Sequence, residues 1–335
     1  MKAAVFLKYG NNDVVDHIEI DKPQIKSPHE VLVAIHAASL NPVDFKIRNG
    51  KLKAIMRHQF PLIIGNDFSG VVIAVGDNVQ KFKEGDEIYA RVDKGRMGTC
   101  TEYLTIEEQY LAKKPRNISF VEAASIPLVG LTSWQALKDW GNLQSGDKVF
   151  IHAGSGGIGC FAIQLAKTMG LTVATTTSGK NANFVKQLGA DIIIDYKTQD
   201  FTQEVSNYDM VYDTLGGDIL NRSFSIVKQG GKVVTITATP DKQTLKELGA
   251  NALLRFFAGI MTRKTTKLAR QKNIRYGFLF MKANGDQLQQ ITSLIEEEKI
   301  KPVIDKTYPL DQTKDAMAYL EKGHARGKVV IEIKK

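Results

Sequence analysis

The stretch of this chain best suited to hold a ligand is His152-Ala153-Gly154-Ser155-Gly156-Gly157-Ile158-Gly159. Gly154, Gly156 and Gly159 carry the G-x-G-x-x-G spacing, with Ser155, Gly157 and Ile158 between them. One glycine permits a tight turn, one lets backbone N–H groups approach a pyrophosphate, and one lets helix and strand pack closely. The spacing alone is a weak signal, and its flanks make it specific. Val149 to Ile151 are β-formers and read as a buried strand. Ile158, Phe161, Ala162, Leu165, Ala166 and Met169 then fall on one helical face, and Gly170 stands where a C-terminal cap belongs. A strand, turn and helix in that order set a diphosphate on the positive end of the helix dipole.

The second informative stretch is Thr175-Thr176-Thr177-Ser178-Gly179-Lys180-Asn181. In NAD-selective folds an acidic residue about 20 positions beyond the glycines binds the ribose 2′-hydroxyl. No Asp or Glu stands between Asp147 and Asp191. A hydroxyl at Ser178 and an ammonium at Lys180 suit a 2′-phosphate, which a carboxylate would repel. The sequence therefore predicts NADP(H) rather than NAD(H). Ser178 and Asn181 have an alternative use as helix caps before Phe184, and Lys180 an alternative as a solvated surface lysine.

These residues need a sheet to position them. Leu171–Thr177, Phe184–Leu188, Ile192–Asp195, Met210–Asp213, Ile219–Val227 and Lys232–Thr237 alternate between strand and helix patterns. Such alternation predicts an α/β fold with a doubly wound parallel sheet. Thr214 and Thr237 lie at strand carboxyl ends, where ligands bind in open α/β sheets.

Bulk properties narrow the class. The 335 residues suffice for two domains with real cores. With 43% hydrophobic and 24% charged residues and no apolar run near the ~20 residues of a membrane span, the chain reads as soluble and globular. Met1-Lys2-Ala3-Ala4-Val5-Phe6 is too short an apolar stretch for a signal peptide and continues as a strand, so cytoplasm is the expected location. Two cysteines, Cys100 and Cys160, exclude a disulfide framework and a multi-thiolate zinc site. The net charge of +9 fits a polyanionic cofactor, and no nucleic-acid module accompanies it.

Residues 1 to about 120 are β-rich, with short strands predicted at Ala3–Lys8, Val31–Ala37, Phe68–Val75, Glu87–Val92 and Glu102–Ile106. Asn41-Pro42-Val43-Asp44-Phe45-Lys46-Ile47-Arg48-Asn49-Gly50 predicts a short helix among them. Taken with Gly65–Val75, Gly85-Asp86, Ala123–Leu137, the glycine turn and Gly323-His324-Ala325-Arg326-Gly327-Lys328-Val329-Val330, this segment resembles the medium-chain dehydrogenase/reductase superfamily over essentially the whole chain. Within it the chain is similar to the zinc-independent quinone oxidoreductase branch, which holds zeta-crystallin-like quinone reductases and alkenal or enone reductases. The resemblance implies a GroES-like, partly open β-barrel domain at 1–122 and a Rossmann NADP(H)-binding domain at 123–272. A segment at 273–335 would complete the sheet and return to the first domain. A homodimer is implied as well.

The same resemblance assigns roles. Ser178, Lys180 and Tyr196 would surround the adenosine phosphate, and the backbone near Thr214 and Thr237 would contact the cofactor. Thr132 and Phe278 would approach the nicotinamide, Phe278 or Phe280 lining the substrate pocket unless both are core rings. Arg326 and Lys328 would reach the cofactor or form an ordinary basic turn. Asn41 would position the nicotinamide ribose or a substrate carbonyl, with an N-cap role before Pro42 as its alternative. Zinc alcohol dehydrogenases place Cys and His ligands where this chain has Asn41 and Asn66-Asp67, and the six His form no paired motif, so no metal is expected.

Without zinc, hydride suits an electron-poor acceptor, a quinone or an α,β-unsaturated carbonyl. Ser155 lacks the G-x-S-x-G elbow of a nucleophile. Asp44 and Arg48 are expected to pair at i,i+4, and Tyr103 is either a weak proton donor or a core aromatic. Leu245 to Arg275 combines apolar residues, among them Leu248, with a run of Lys and Arg and predicts a lid or dimer-packing helix, or a peripheral membrane contact. Two other classes stand beside quinone or enone reduction: a zinc-type alcohol dehydrogenase, and an NADPH-binding sensor without turnover.

Overall fold

The computed structural model describes residues 1–54, 56–93, 96–247 and 249–334. Among them the strands run β1 (Lys2–Phe6), β2 (Val15–Glu19), β3 (Glu30–Leu40), β4 (Leu62–Ile63), β5 (Asp67–Val75), β6 (Glu87–Arg91), β7 (Tyr103–Glu107) and β8 (Leu111–Lys113). They continue as β9 (Lys148–Ile151), β10 (Thr172–Thr177), β11 (Ile192–Asp195), β12 (Tyr208–Asp213), β13 (Val227–Thr235), β14 (Arg275–Phe278), β15 (Ile304–Pro309) and β16 (Lys328–Glu332). The chain divides into two compact units, Met1–Leu131 with Lys282–Lys335, and Thr132–Met281. Both divisions fall later than the expected 122/123 and 272/273. Residues just past 122 are tied to the first unit, as the Leu128 N–H donates to Asp67 Oδ1 at 2.9 Å.

In the first unit, β3 pairs with β5, β7 and β16 and is buried over almost its whole length. That explains its near-continuous apolar sequence, as a strand covered on both faces does not alternate. The sheet order is β15-β16-β3-β5-β6-β8, and a smaller sheet orders β2-β1-β4. Val31, Val33, Ile35, Phe68, Val72, Ile88 and Leu104 form one core.

The second unit is a six-stranded sheet ordered β11-β10-β9-β12-β13-β14, parallel throughout. The order turns back at β9, the switch point at which α/β sheets bind ligands. Helix Gly157–Thr168 follows β9 directly; of the face the sequence predicts, Phe161, Ala162, Leu165 and Ala166 are buried, while Ile158 and Met169 at its two ends are half-buried. The Leu245–Arg275 stretch is not one helix. Helix Lys242–Glu247 is separated from helix Ala252–Met261 by Gly249, at φ +77°, and a cap at Asn251, whose Oδ1 accepts the Leu254 N–H at 2.9 Å, and Thr262 separates the latter from helix Arg263–Gln271. Leu248 lies outside the described residues.

Candidate active site

The glycine turn is built by close packing. A Cβ on Gly154 would stand 2.9 Å from Thr175 Cγ2, and one on Gly159 would stand 2.6 Å from Gly154 Cα. These two glycines seat helix against strand. Gly156 differs, since its nearest neighbour to an added Cβ is the Ala153 carbonyl oxygen at 3.4 Å. It caps helix Gly157–Thr168, so the first backbone N–H groups of that helix and Gly156 share one open edge. Gly157 and Ile158 form the first turn there. Ser155 Oγ accepts from Thr177 Oγ1 at 3.0 Å and Asn181 Nδ2 at 3.1 Å, which ties the turn to the tip of β10.

His152 is a scaffold residue that the sequence reading passed over. Its Nε2 meets Ser223 Oγ at 2.9 Å and its Nδ1 meets Thr176 Oγ1 at 3.3 Å. The same Thr176 oxygen accepts the Ala153 N–H at 3.1 Å, and Thr214 Oγ1 donates to the His152 carbonyl at 2.9 Å. Burial lowers the imidazole pKa to about 3, so the ring is neutral. Ala153 itself sits at φ 54°. Three hydroxyls and a neutral imidazole therefore fix the strand-to-turn junction.

At the tip of β10, Ser178 is buried, Lys180 is exposed and Tyr196 is 61% exposed. Neither Ser178 nor Asn181 makes a side-chain cap, which removes the capping alternative: Asn181 is turned to Ser155 instead. The tip is not free of carboxylates. Thr177 pairs with Asp195, and Asp195 Oδ2 lies 2.6 Å from where a Cβ on Gly179 would stand. Its Oδ1 accepts the Lys197 N–H at 3.0 Å.

At the tips of β12 and β13, Asp213 is buried and accepts from Thr235 Oγ1 at 2.6 Å and from the Leu215 and Gly216 N–H groups. Burial raises its carboxyl pKa, against the pull of those donors. Thr214 is half-buried beside it. Thr237 Oγ1 is buried with no hydrogen-bond partner. An orphaned hydroxyl at a strand end, the open Gly156 edge and the exposed ammonium of Lys180 fit a phosphorylated dinucleotide. Thr132 is buried in helix Pro127–Trp134, and Phe278, half-buried, ends β14. Phe280 lies just past that strand.

The first unit holds a buried polar cluster around Asn41. Asn41 is 2% exposed and stands at the N-cap of helix Pro42–Arg48, with its N–H donating to Asp44 Oδ2 at 2.7 Å. Its side-chain amide donates to Asp67 Oδ2 at 2.9 Å and accepts from Lys328 Nζ at 2.6 Å. Lys328 Nζ also donates to the Leu40 carbonyl at 3.0 Å and lies 3.5 Å from Asp67 Oδ2. Lys328 is thus neither a surface basic turn nor a free ammonium, whereas its neighbour Arg326 is exposed. The i,i+4 pair of Asp44 with Arg48 does not form. Asp44 faces Asn66 at 2.6 Å, and the Arg48 guanidinium reaches Glu321 and Asn12, both at 2.7 Å. Burial raises the Asp44 carboxyl to about 7 and lowers the Lys328 ammonium, with Asp67 and Asp44 opposing that fall. Tyr103 is half-buried, not a fully buried core ring, with the Lys22 ammonium 4.4 Å over its ring.

Residues 188–331 match the family model described as zinc-binding dehydrogenase, and residues 27–116 match the alcohol dehydrogenase GroES-like domain. A zinc ion does not fit the Asn41, Asn66 and Asp67 donor set, because the Lys328 ammonium is already seated on Asn41 Oδ1 and beside Asp67. No group of three His, Cys, Asp or Glu that could hold a metal occurs among the described residues. The bovine mitochondrial NAD(P)H oxidoreductase RTN4IP1 is 35% identical over 99% of this chain and 89% of its own. The NADPH-dependent alkenal/one oxidoreductase of Arabidopsis thaliana chloroplasts is 36% identical, over 99% of this chain and 79% of its own. The quinone oxidoreductase of Coxiella burnetii superposes with a TM-score of 0.87 at 33% identity, covering 100% of this chain and 99% of its own. With both units and the whole length matched, the chain belongs to the medium-chain dehydrogenase/reductase family, among its quinone and alkenal/one oxidoreductases.

Proposed function

We propose that this protein is an NADPH-dependent oxidoreductase that reduces quinones or α,β-unsaturated carbonyls without a metal. The carrying observation is the open N-terminal edge of helix Gly157–Thr168 at Gly156, tied through Ser155 to the tip of β10. Relatives named for quinone and alkenal/one reduction supply the acceptor class. When bound, the nicotinamide supplies the hydride. The backbone at Gly154, Ser155, Gly156, Gly157, Ile158 and Gly159 holds the diphosphate. Ser178, Lys180 and Tyr196 hold the 2′-phosphate, with Asp195 at the same tip as a counterweight that sharpens the need for Lys180. The Thr237 hydroxyl and the Thr214 segment meet the cofactor at the neighbouring strand ends. Thr132 and Phe278 border the nicotinamide, and Arg326 remains a cofactor contact. Asn41 acts through its fixed geometry, since its amide is committed to Asp67 and Lys328.

A homodimer and a cytoplasmic location belong to the same reading. The resemblance supports the first. For the second, no helix among the described residues is long and apolar enough to cross a membrane, though relatives are named mitochondrial or chloroplastic. Sedimentation equilibrium and cell fractionation test them.

The deciding experiment is oxidation of NADPH and NADH, side by side, against a panel of quinones and enals. Turnover with NADPH and an electron-poor acceptor supports the proposal. Tight NADPH binding with no consumption across the panel overturns it in favour of a sensor, and stoichiometric zinc in active protein overturns the metal-free part.

A further inference from the structure

Helix Ala252–Met261 in the second unit is turned inside out. Leu253, Phe256, Phe257, Ile260 and Met261 fall at i, i+3, i+4, i+7 and i+8, the spacing of one continuous apolar stripe. In a helix serving a core, that stripe would be buried. Here all five are exposed, between 52% and 68%, while the small Ala258 is buried on the opposite side and Gly259 faces the Lys242 side chain. The Phe256 and Phe257 rings meet edge to face with centroids 5.8 Å apart. Thr262 is buried at the joint to the next helix, its Oγ1 donating to the Ala258 carbonyl at 2.8 Å.

That next helix, Arg263–Gln271, carries a basic stripe. Arg263, Lys264, Lys267 and Arg270 are exposed at i, i+1, i+4 and i+7. Its other side is anchored in the sheet's core through Ala269 and Leu268, and Thr265 bonds Asn221 at 3.1 Å. No Asp or Glu occurs from residue 248 to residue 275. A large apolar stripe and a cationic stripe therefore stand on consecutive helices whose own sequence supplies no acid.

We propose that helices Ala252–Met261 and Arg263–Gln271 form a peripheral docking surface for an anionic lipid bilayer. The apolar stripe enters the headgroup boundary, and the basic stripe contacts lipid phosphates and carboxylates. Charge favours this occupant over a second copy of the chain. Anionic headgroups would neutralise the exposed cations, whereas a second copy of this patch brings only further cations and no acid from the same stretch. No helix among the described residues is long and apolar enough to cross a membrane, which agrees with binding in its surface plane. A membrane position would bring the protein to lipid-soluble acceptors, but the surface does not depend on the redox reading.

The test is co-sedimentation of the full chain with phosphatidylcholine vesicles, with and without phosphatidylserine, at low and high salt. Vesicles containing phosphatidylserine should pellet the protein, with binding weakened by salt. Replacing Arg263, Lys264, Lys267 and Arg270 together by glutamine should lower partitioning by on the order of 100-fold or more, at about fivefold per cation. A Phe256→Ser, Phe257→Ser, Ile260→Ser variant should also lose binding. Thermal unfolding of each variant confirms that it is folded, and being exposed these side chains should leave it unchanged. Absence of pelleting by phosphatidylserine vesicles overturns the proposal, as does equal binding to phosphatidylcholine alone. It is also overturned if the serine variant changes the sedimentation mass of the protein in lipid-free solution, since that makes the stripe a self-interface.

Discussion

Replacing Gly156 and Gly159 separately by alanine distinguishes a glycine that faces a ligand from one that faces the protein. Gly156 has φ −80° and ψ 169°, which alanine adopts freely, and an added Cβ finds its nearest atom at 3.4 Å. Less unfolded-state entropy favours alanine by about 0.4–1 kcal/mol, and its poorer N-cap propensity opposes that by a similar amount. The melting temperature of Gly156→Ala should therefore hardly move. At Gly159 the added Cβ would meet backbone, the Ala153 carbonyl oxygen nearest and Gly154 Cα at 2.6 Å, so ordinary contact at 3.4 Å requires turn and helix to part by at least about 0.8 Å. Overpacking of that kind costs about 1–3 kcal/mol, and each kcal/mol lowers Tm by about 2–4 °C in a unit of this size. The ligand responses run the other way. A methyl at 156 displaces a diphosphate from the helix N-terminus, and losing one charge-assisted hydrogen bond, about 1.5–3 kcal/mol, raises KM for NADPH roughly 10- to 150-fold. Thermal scans without nucleotide, beside NADPH kinetics with one acceptor, read both quantities. The reasoning fails if Gly156→Ala melts as low as Gly159→Ala, or if it melts normally and keeps its KM.

Other outcomes follow from named groups. Ser178→Ala with Lys180→Ala should raise KM for NADPH about tenfold or more while sparing NADH; equal effects on both would remove the 2′-phosphate from this tip. Lys328→Met deprives Asn41, the Leu40 carbonyl and Asp67 of their ammonium and should cost about 3–5 kcal/mol in urea unfolding, with part of the loss recovered by adding Asp67→Asn. A cost under about 1 kcal/mol would show that the cluster is solvated. Asp44, raised by burial from 3.8 to about 7, keeps in the folded state a proton that the unfolded chain releases. Stability should thus fall with rising pH across that window, at about 1.4 kcal/mol per pH unit, and Asp44→Asn should flatten the slope. His152, lowered by burial from 6.5 to about 3, has the opposite sign: stability falls as pH drops through that window, and His152→Gln should remove the fall. An unchanged pH profile in either variant refutes the corresponding assignment.

What the sequence made legible was local. The glycine turn, its strand and its helix lie within one continuous segment, so spacing and periodicity carry the whole argument. What it hid was set by pairing between distant segments. The basic turn at Arg326-Gly327-Lys328 looks solvated in sequence. Val329 pairs with Leu40 in antiparallel register, so Lys328 is delivered beside Asn41. The glycine between them, at φ +91° with Val303 packed on it, turns the chain so that Arg326 stays outside. Asp195 escapes a search for acids near the glycines for the same reason, although it directly precedes Tyr196, which the resemblance puts at this tip. Scanning β10 and its loop finds no acid, but the parallel pairing of Thr177 with Asp195 brings one in from β11. The Leu245–Arg275 stretch showed its composition but not its orientation, because only packing of Ala258 and Ala269 inward decides that the larger stripes face out.

The position of Lys328 bears on the chemistry itself. In a site that polarises a carbonyl with a bound cation, carboxylate and amide oxygens must converge on the metal. Here Asp67 Oδ2 already accepts from Ser39 Oγ and Asn41 Nδ2, both at 2.9 Å, and Asn41 Oδ1 is held by the ammonium at 2.6 Å. A second cation would have to displace a buried charge and strip three hydrogen bonds from a region closed to water. The fixed positive charge is instead internal, buried and hydrogen-bonded to the Asn41 side chain. Hydride transfer under these conditions gains nothing from Lewis-acid activation at this cluster. It runs well only when the acceptor is already electron-poor, which is the property that quinones and enones share and simple aldehydes and ketones lack.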